Sequence, residues 1–333
     1  MKNISIDINP DILRWAREES GYTSFELSSE INIEEKLYLQ WENDGLNIPF
    51  NSLINIARHC KRQIAVFFLE EVPKKTKMPD DFRNVNLQNT RLSLDSLLAI
   101  RRADRFRELL LELNGNSYYE KKYKWILSFS NRASFNQGDA DSIRDQLKYT
   151  IDSQLNDKDL NSSYINWRIC FEQYLGINIF QFSMPPSEIQ GFCYSDYYPY
   201  CIVVNSKYHV SSKIFTLFHE LGHILNRQSG LCVPNQLTDD QQTELEINSF
   251  ASSVLLPEEV VVRSLNSSDI YKRSRKLKVS SEVYLRRMKD INLIEDDDFF
   301  RLLEEIRSAV KPPGPGGRST PIEKSLNSRG RSL

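Results

Sequence analysis

At 333 residues the chain is long enough for two or three domains with cores of their own. A net charge of -2 gives no global pull toward nucleic acid or anionic membrane. The longest apolar runs, such as Ala65–Leu69 and Ile202–Val204, are far too short to span a bilayer. Met1–Ser20 is polar and charged, with no apolar stretch suited to a signal peptide, and the five cysteines (Cys60, Cys170, Cys193, Cys201, Cys232) are odd in number with no C-x-x-C spacing; reduced thiols in a cytoplasmic protein are expected.

Residues 1–72 read as five short helices. Ile12, Leu13 and Ala16 mark the first, and Thr23 caps a second through Leu27. Ile33–Trp41 is the third, Pro49 opens a fourth through Ala57, and Gln63–Leu69 is the fifth. The stretch I-L-R-W-A-R-E-E-S-G-Y-T, followed by Q-W-E-N-D-G and P-F-N-S-L-I-N-I-A-R-H, resembles the Cro/Xre class of helix-turn-helix domain. That resemblance makes Ile33 to Gln40 the recognition helix. Yet seven basic residues face twelve acidic ones in 1–72, a balance of -5, and Glu34 and Glu35 stand on that helix. Phosphate neutralisation drives DNA affinity, so DNA binding is possible but disfavoured, and a protein-docking role is expected instead.

Val72–Phe82 is a charged linker bounded by prolines, at the start of a helical linker domain taken as 73–160. Within it Leu92–Leu113 has apolar residues every three to four positions, with Arg101, Arg102, Arg105 and Arg107 expected on a solvated or salt-bridged face. Tyr118–Ser128 and Asp139–Tyr149 read as two further helices.

The pattern changes in 161–259. Tyr164–Leu175 is helical with Gly176 as its C-cap, and I-N-I-F-Q-F alternates like a strand. Ile189–Tyr194 and Cys201–Asn205 are further strand candidates, the first a candidate edge strand for binding a substrate backbone. Next comes Phe215–Leu225, containing His219-Glu220-Leu-Gly-His223. Residues four apart stack on one helix face, so both imidazoles can address one ion while Glu220 flanks it within reach of a water. Zinc chemistry needs that set: the ion acidifies water and polarises a carbonyl, and the carboxylate takes the proton. The surrounding residues are apolar almost all round, as in a buried helix.

A catalytic zinc takes three protein ligands and keeps one position open. Thr238 or Asp239 caps a helix that Pro257 stops, and its apolar stripe is Ile247, Phe250, Ala251, Val254 and Leu255. Glu244 continues that stripe, where a carboxylate is costly without a cation, and is the expected third ligand. Glu246 on the flank is the alternative, and a solvated helix-start role for Glu244 is the other. Cys232 reads as an ordinary buried thiol rather than a ligand. For an oxyanion partner His209, Tyr208, Tyr197, Tyr198 and Tyr200 lie nearby in the chain, each better explained as surface or core.

F-T-L-F-H-E-L-G-H followed by E-L-E-I-N-S-F-A-S-S-V-L-L-P resembles the ImmA/IrrE family of zinc metallopeptidases. The resemblance implies His219, His223 and Glu244 as ligands of Zn2+ and Glu220 as general base. It also implies a protein substrate or regulatory partner, an Xre-type repressor or a nuclease toxin, in a prophage, stress-response or toxin–antitoxin setting. Residues 260–306 read as a C-terminal helical region, Ser280 or Ser281 capping one helix, and 307–333 as a tail rich in proline and glycine that is expected to be disordered. The fold class expected is therefore α+β and mostly α, with a small zincin-like core between helical regions. The expected activity is that of a zinc-dependent, site-specific endopeptidase. The competing reading is a transcription regulator or antitoxin that acts by binding, its zinc structural or vestigial.

Overall fold

Side-chain caps written into the sequence delimit most helices of the computed structural model, which describes residues 4–79, 91–129, 135–226, 231–232 and 241–309. The chain divides into two compact units, Met1–Met78 with Leu87–Asp104, and Pro79–Asn86 with Arg105–Leu333. The expected caps at Thr238 or Asp239, the end of the linker at 80–82 and the tail beyond 309 lie outside the described residues.

In the first unit, strands β1 (Ser5–Ile6) and β2 (Ile48–Pro49) pair antiparallel. Asn9 caps α1 (Pro10–Glu18), and Thr23 with Glu26 forms a reciprocal capping box on α2 (Ser24–Glu30). Together with α3 (Glu35–Asp44) and α4 (Phe50–His59) they enclose Leu13, Trp15, Leu27, Tyr38, Trp41 and Ile56. Arg17 of α1 forks onto the Glu42 carboxylate of α3, at 2.7 and 3.0 Å. Hydrogen bonds from Arg91 and then from the Thr23 backbone hold Glu26 down at about 2. The fifth predicted helix is instead a 3-10 turn, Ile64–Phe68. Its residues I-A-V-F-F are mostly β-branched or aromatic and favour α-helix weakly, and Phe67 anchors it in the core.

Helix α5 (Leu94–Asn114) does not carry one arginine face. Within the first unit Arg101 donates to Glu19 O and Lys61 O. Within the second, Arg107 is fully buried between the rings of Tyr194 and Tyr197 and donates to Pro199 O, Tyr197 O and Asp196. Five rigid donors make a guanidinium the side chain best suited to a turn full of carbonyls.

The predicted helix over Tyr118–Ser128 is broken into α6 (Asn116–Lys122) and a 3-10 turn, Lys124–Ser128. The break falls at Tyr123, whose ring lies among Tyr119, Tyr198 and Tyr200 and whose hydroxyl donates to Gly176 O and accepts from Tyr200 N. Burying that side chain outweighs one more helical turn. Helix α7 (Gln137–Leu147) starts two residues before the expected Asp139, because Asn136 caps it. A short helix, α8 (Ile151–Asn156), was not expected. Asp159 caps α9 (Leu160–Cys170), which continues as a wide π-turn, Phe171–Leu175, up to Gly176.

Strands β3 (Asn178–Phe182), β4 (Gly191–Tyr194), β5 (Cys201–Asn205) and β6 (Leu231–Cys232) form a sheet of order β3-β5-β4-β6. β3 runs parallel to β5, and β4 is antiparallel to both of its neighbours. Expected at an edge, β4 is interior: β6 pairs with Gly191 and Phe192 on the side away from β5. A two-residue strand carries too little pattern to be read from sequence. Cys60, Cys170, Cys193 and Cys201 are buried.

Helices α10 (Val210–Leu225) and α11 (Gln241–Leu255) pack together beside this sheet. The C-terminal end of α11 is held by side chains from elsewhere. Arg144 of α7 donates to Val254 O, Gln154 of α8 to Leu255 O, and Arg287 of α13 (Ser281–Asp290) to Leu256 O. Two guanidinium groups thus sit at the negative end of the helix dipole and satisfy carbonyls that Pro257 leaves open. Around them α12 (Ser267–Lys276), α13, capped by Ser280, and α14 (Asp296–Ala309) complete the second unit. Among the described residues no helix is long and apolar enough to cross a membrane.

Asn205 at the end of β5 ties the β3–β4 loop to the sheet. Fully buried, it donates to Met184 O and Ile189 O and accepts from Met184 N and Lys207 N. Asn205→Ala strands these groups and is expected to lower unfolding stability by roughly 2–4 kcal/mol, measured by urea denaturation.

Candidate metal centre

His209 begins α10 by accepting a hydrogen bond from Ser211 N at 3.3 Å. Trp167 and Phe171 then pack edge-on against Phe218, at 4.8 and 5.2 Å between ring centroids. Ile214, Leu217, Leu221, Ile224 and Leu225 are buried as well, so α10 is enclosed, as its apolar pattern predicts. The polar residues it carries are enclosed with it: Glu220 is 0% exposed, His223 2% and His219 3%.

Helix α11 comes close to α10 at Gly222. A Cβ there would lie 2.9 Å from Ile247 Cγ2 and 3.4 Å from Phe250 Cδ1, so the missing side chain permits the approach. The crossing brings Glu244 and Asn248, one turn apart on α11, opposite the two imidazoles. His219 Nε2 and His223 Nε2 are 3.1 Å apart. The Glu244 carboxylate is 3.5 Å from the first and 3.3 Å from the second.

Burial pushes the His219 imidazole down to about 4, against the opposing effect of its Asn248 hydrogen bond. His223 falls well below its ordinary value, through burial first and His219 second. Both rings are therefore neutral near pH 7. Asn248 Oδ1 stands 3.0 Å from His219 Nδ1 and accepts a hydrogen bond from the Nδ1–H tautomer, in which Nε2 keeps a lone pair aimed at the gap. His223 Nδ1 is buried with no hydrogen-bond partner among the described residues.

Two buried imidazole nitrogens and a carboxylate facing one another are suited to holding a cation between them. Ligands about 2 Å from a tetrahedral ion stand about 3.3 Å apart, which matches the three separations here. Among the described residues these three form the group of His, Cys, Asp and Glu side chains able to share an ion. The Glu244 side chain is 32% exposed while the histidines are closed off, so the group is open on the carboxylate side. The residues present fit a metal.

The structure thus brings His219, His223 and Glu244 together with Glu220 beside them on α10. Glu246 lies on the flank and accepts from Gln242 Nε2 instead. The Cys232 side chain lies outside the described part of the structure. Tyr208 donates its hydroxyl to Pro186 O, Tyr198 and Tyr200 stack on Tyr123, and Tyr197 lies against Arg107; each has a structural task. The motif E-L-E-I-N-S-F contains Asn248 but assigns it no role. Its position four residues after Glu244 was the available signal.

Residues 172–289 match the peptidase M78 family model, described as the IrrE N-terminal-like domain. The match runs from the π-turn through α13 and includes His219, Glu220, His223, Glu244 and Asn248. It supports a metallopeptidase-like role for this segment. No curated protein and no solved structure matches the chain.

His223→Ala and Glu244→Ala are each expected to drop bound metal well below one per chain after dialysis, whereas Glu246→Ala retains it, as read by elemental analysis. Asn248→Ala should still bind but about ten- to a hundredfold more weakly. A histidine whose folded pKa lies below the unfolded value stabilises above the latter and loses that stability as pH falls. The metal-free protein should therefore lose stability between 6.5 and about 4, a slope that His219→Ala reduces in thermal melts across pH.

Proposed function

We propose that the second unit is a zinc-dependent endopeptidase acting on a regulatory protein. The convergence of two neutral imidazoles and one carboxylate, with a further buried carboxylate alongside, carries this reading. Two nitrogens and an oxygen at these separations suit zinc, and three protein ligands leave a fourth position for chemistry. When bound, the ion would supply Lewis acidity toward a peptide carbonyl and toward a water's proton.

The chain's own residues do the rest. His219, held by Asn248, presents an unprotonated Nε2, His223 sets its own Nε2 beside it, and Glu244 adds the negative charge. Glu220 takes the proton of the attacking water and passes it to the leaving amine nitrogen. Its complete burial keeps bulk water from competing for that proton. A site serving structure alone has no use for this second carboxylate.

The first unit, acidic in balance, is assigned to docking a protein partner rather than to reading DNA. The helix-turn-helix resemblance of 1–72 and the family resemblance together point to a repressor of the Xre class or a nuclease toxin as the protein acted upon, in the cytoplasm.

The decisive comparison is Glu220→Gln. This variant is expected to keep zinc at one per chain and to lose peptide hydrolysis by about 10²–10⁴-fold. Elemental analysis and cleavage of co-purified partner protein, followed by mass spectrometry, measure the two quantities. Full biological activity in the zinc-loaded variant would instead make this a binding protein.

A further inference from the structure

We propose that Gly191 is a positioning residue for the Glu220 carboxylate, an inference that rests on Glu220 acting as the base. Gly191 opens β4, paired with Val204 of β5 on one side and Cys232 of β6 on the other. The preceding residue is pinned twice. Asn205 N donates to Gln190 O at 3.0 Å, and Gln190 Nε2 donates to Thr216 Oγ1 at 3.0 Å. Thr216 in turn donates its hydroxyl to Ser212 O on its own helix. These bonds press the start of β4 onto the face of α10 that carries Thr216 and, one turn later, Glu220.

A side chain at 191 would enter that contact. Its Cβ would lie 2.4 Å from Thr216 Cγ2, 3.0 Å from Val203 O and 3.2 Å from Glu220 Oε1. The first two contacts concern helix–strand packing and strand pairing. The third reaches the carboxylate itself. Gly191 therefore leaves the recess in which Glu220 Oε1 sits, and the strand backbone forms one wall of it. The glycine's backbone is ordinary here; what matters is the missing atom.

The two consequences of adding that atom can be separated. Thr216→Ser removes Cγ2, the most severe clash, and keeps the hydroxyl that Gln190 and Ser212 use. The zinc-loaded full chain would be compared as wild type, Thr216→Ser, Gly191→Ala, the double variant and Glu220→Gln. Zinc content, Tm, kcat and KM would be measured, with a mixture-based library of fluorescence-quenched peptides as the probe.

Thr216→Ser is expected to behave as wild type. Gly191→Ala should lose both Tm and kcat. The double variant should recover Tm toward wild type and retain zinc, with kcat still down by about tenfold or more and KM within about twofold, since sub-ångström misplacement of a reacting group is costly. Recovery of kcat together with Tm in the double variant would make Gly191 a packing residue and overturn the proposal. Should that variant not fold, Gln190→Ala supplies the second arm, releasing β4 from Thr216 without adding an atom. With zinc retained, it should lower kcat severalfold, and an unchanged kcat overturns the proposal. A wild type no faster than Glu220→Gln would sink the base assignment instead, a result distinct from either outcome at Gly191.

Discussion

Two buried imidazoles and a partly exposed carboxylate face one another, an arrangement suited to positive charge at its centre. His219 and His223 are too buried to supply it by protonation, since their imidazoles are held neutral well below pH 7. Much of the second unit can be understood as the scaffold for that meeting. The aromatic rings of α9 enclose α10, Gly222 lets α11 approach, and Asn248 turns one imidazole so that its lone pair faces inward.

The sequence was most legible where the physics is local. Two histidines at helical spacing, with apolar neighbours all round, identify a buried helix bearing a reason for its polarity. Helical phase also favoured Glu244 over Glu246, and the structure places the first beside the imidazoles and the second against Gln242. Caps at Thr23 and Ser280 follow from the same short-range chemistry. Legibility failed where distant segments decide. Tyr123 interrupts a helical pattern because its partners lie some fifty and seventy-five residues further along, at Gly176 and Tyr200. Arg107 looked like surface charge, yet it fills a turn ninety residues away. The interior place of β4 depends on a two-residue strand with no periodicity to read.

Charge counting has a related limit. The balance of residues 1–72 already sets Arg17 against Glu42 but leaves out Arg91, which lies beyond that stretch and pairs with Glu26. The negative charge that a partner meets is smaller than the tally by that one pair, while Glu34, in the segment that resembles a recognition helix, is exposed. A formal charge is a property of composition. A binding surface is a property of what folding leaves outside.

The way α11 ends bears on the order in which its contacts can form during synthesis. Gln154 and Arg144 leave the ribosome well before the helix they anchor, but Arg287, which closes the last of the three carbonyls, follows Leu256 by thirty-one residues. Gln154 also reaches Leu277 O, again downstream. A nascent chain that already contains His219, His223 and Glu244 thus still lacks Leu277 and Arg287, whose hydrogen bonds tie down the end of the helix that carries Glu244.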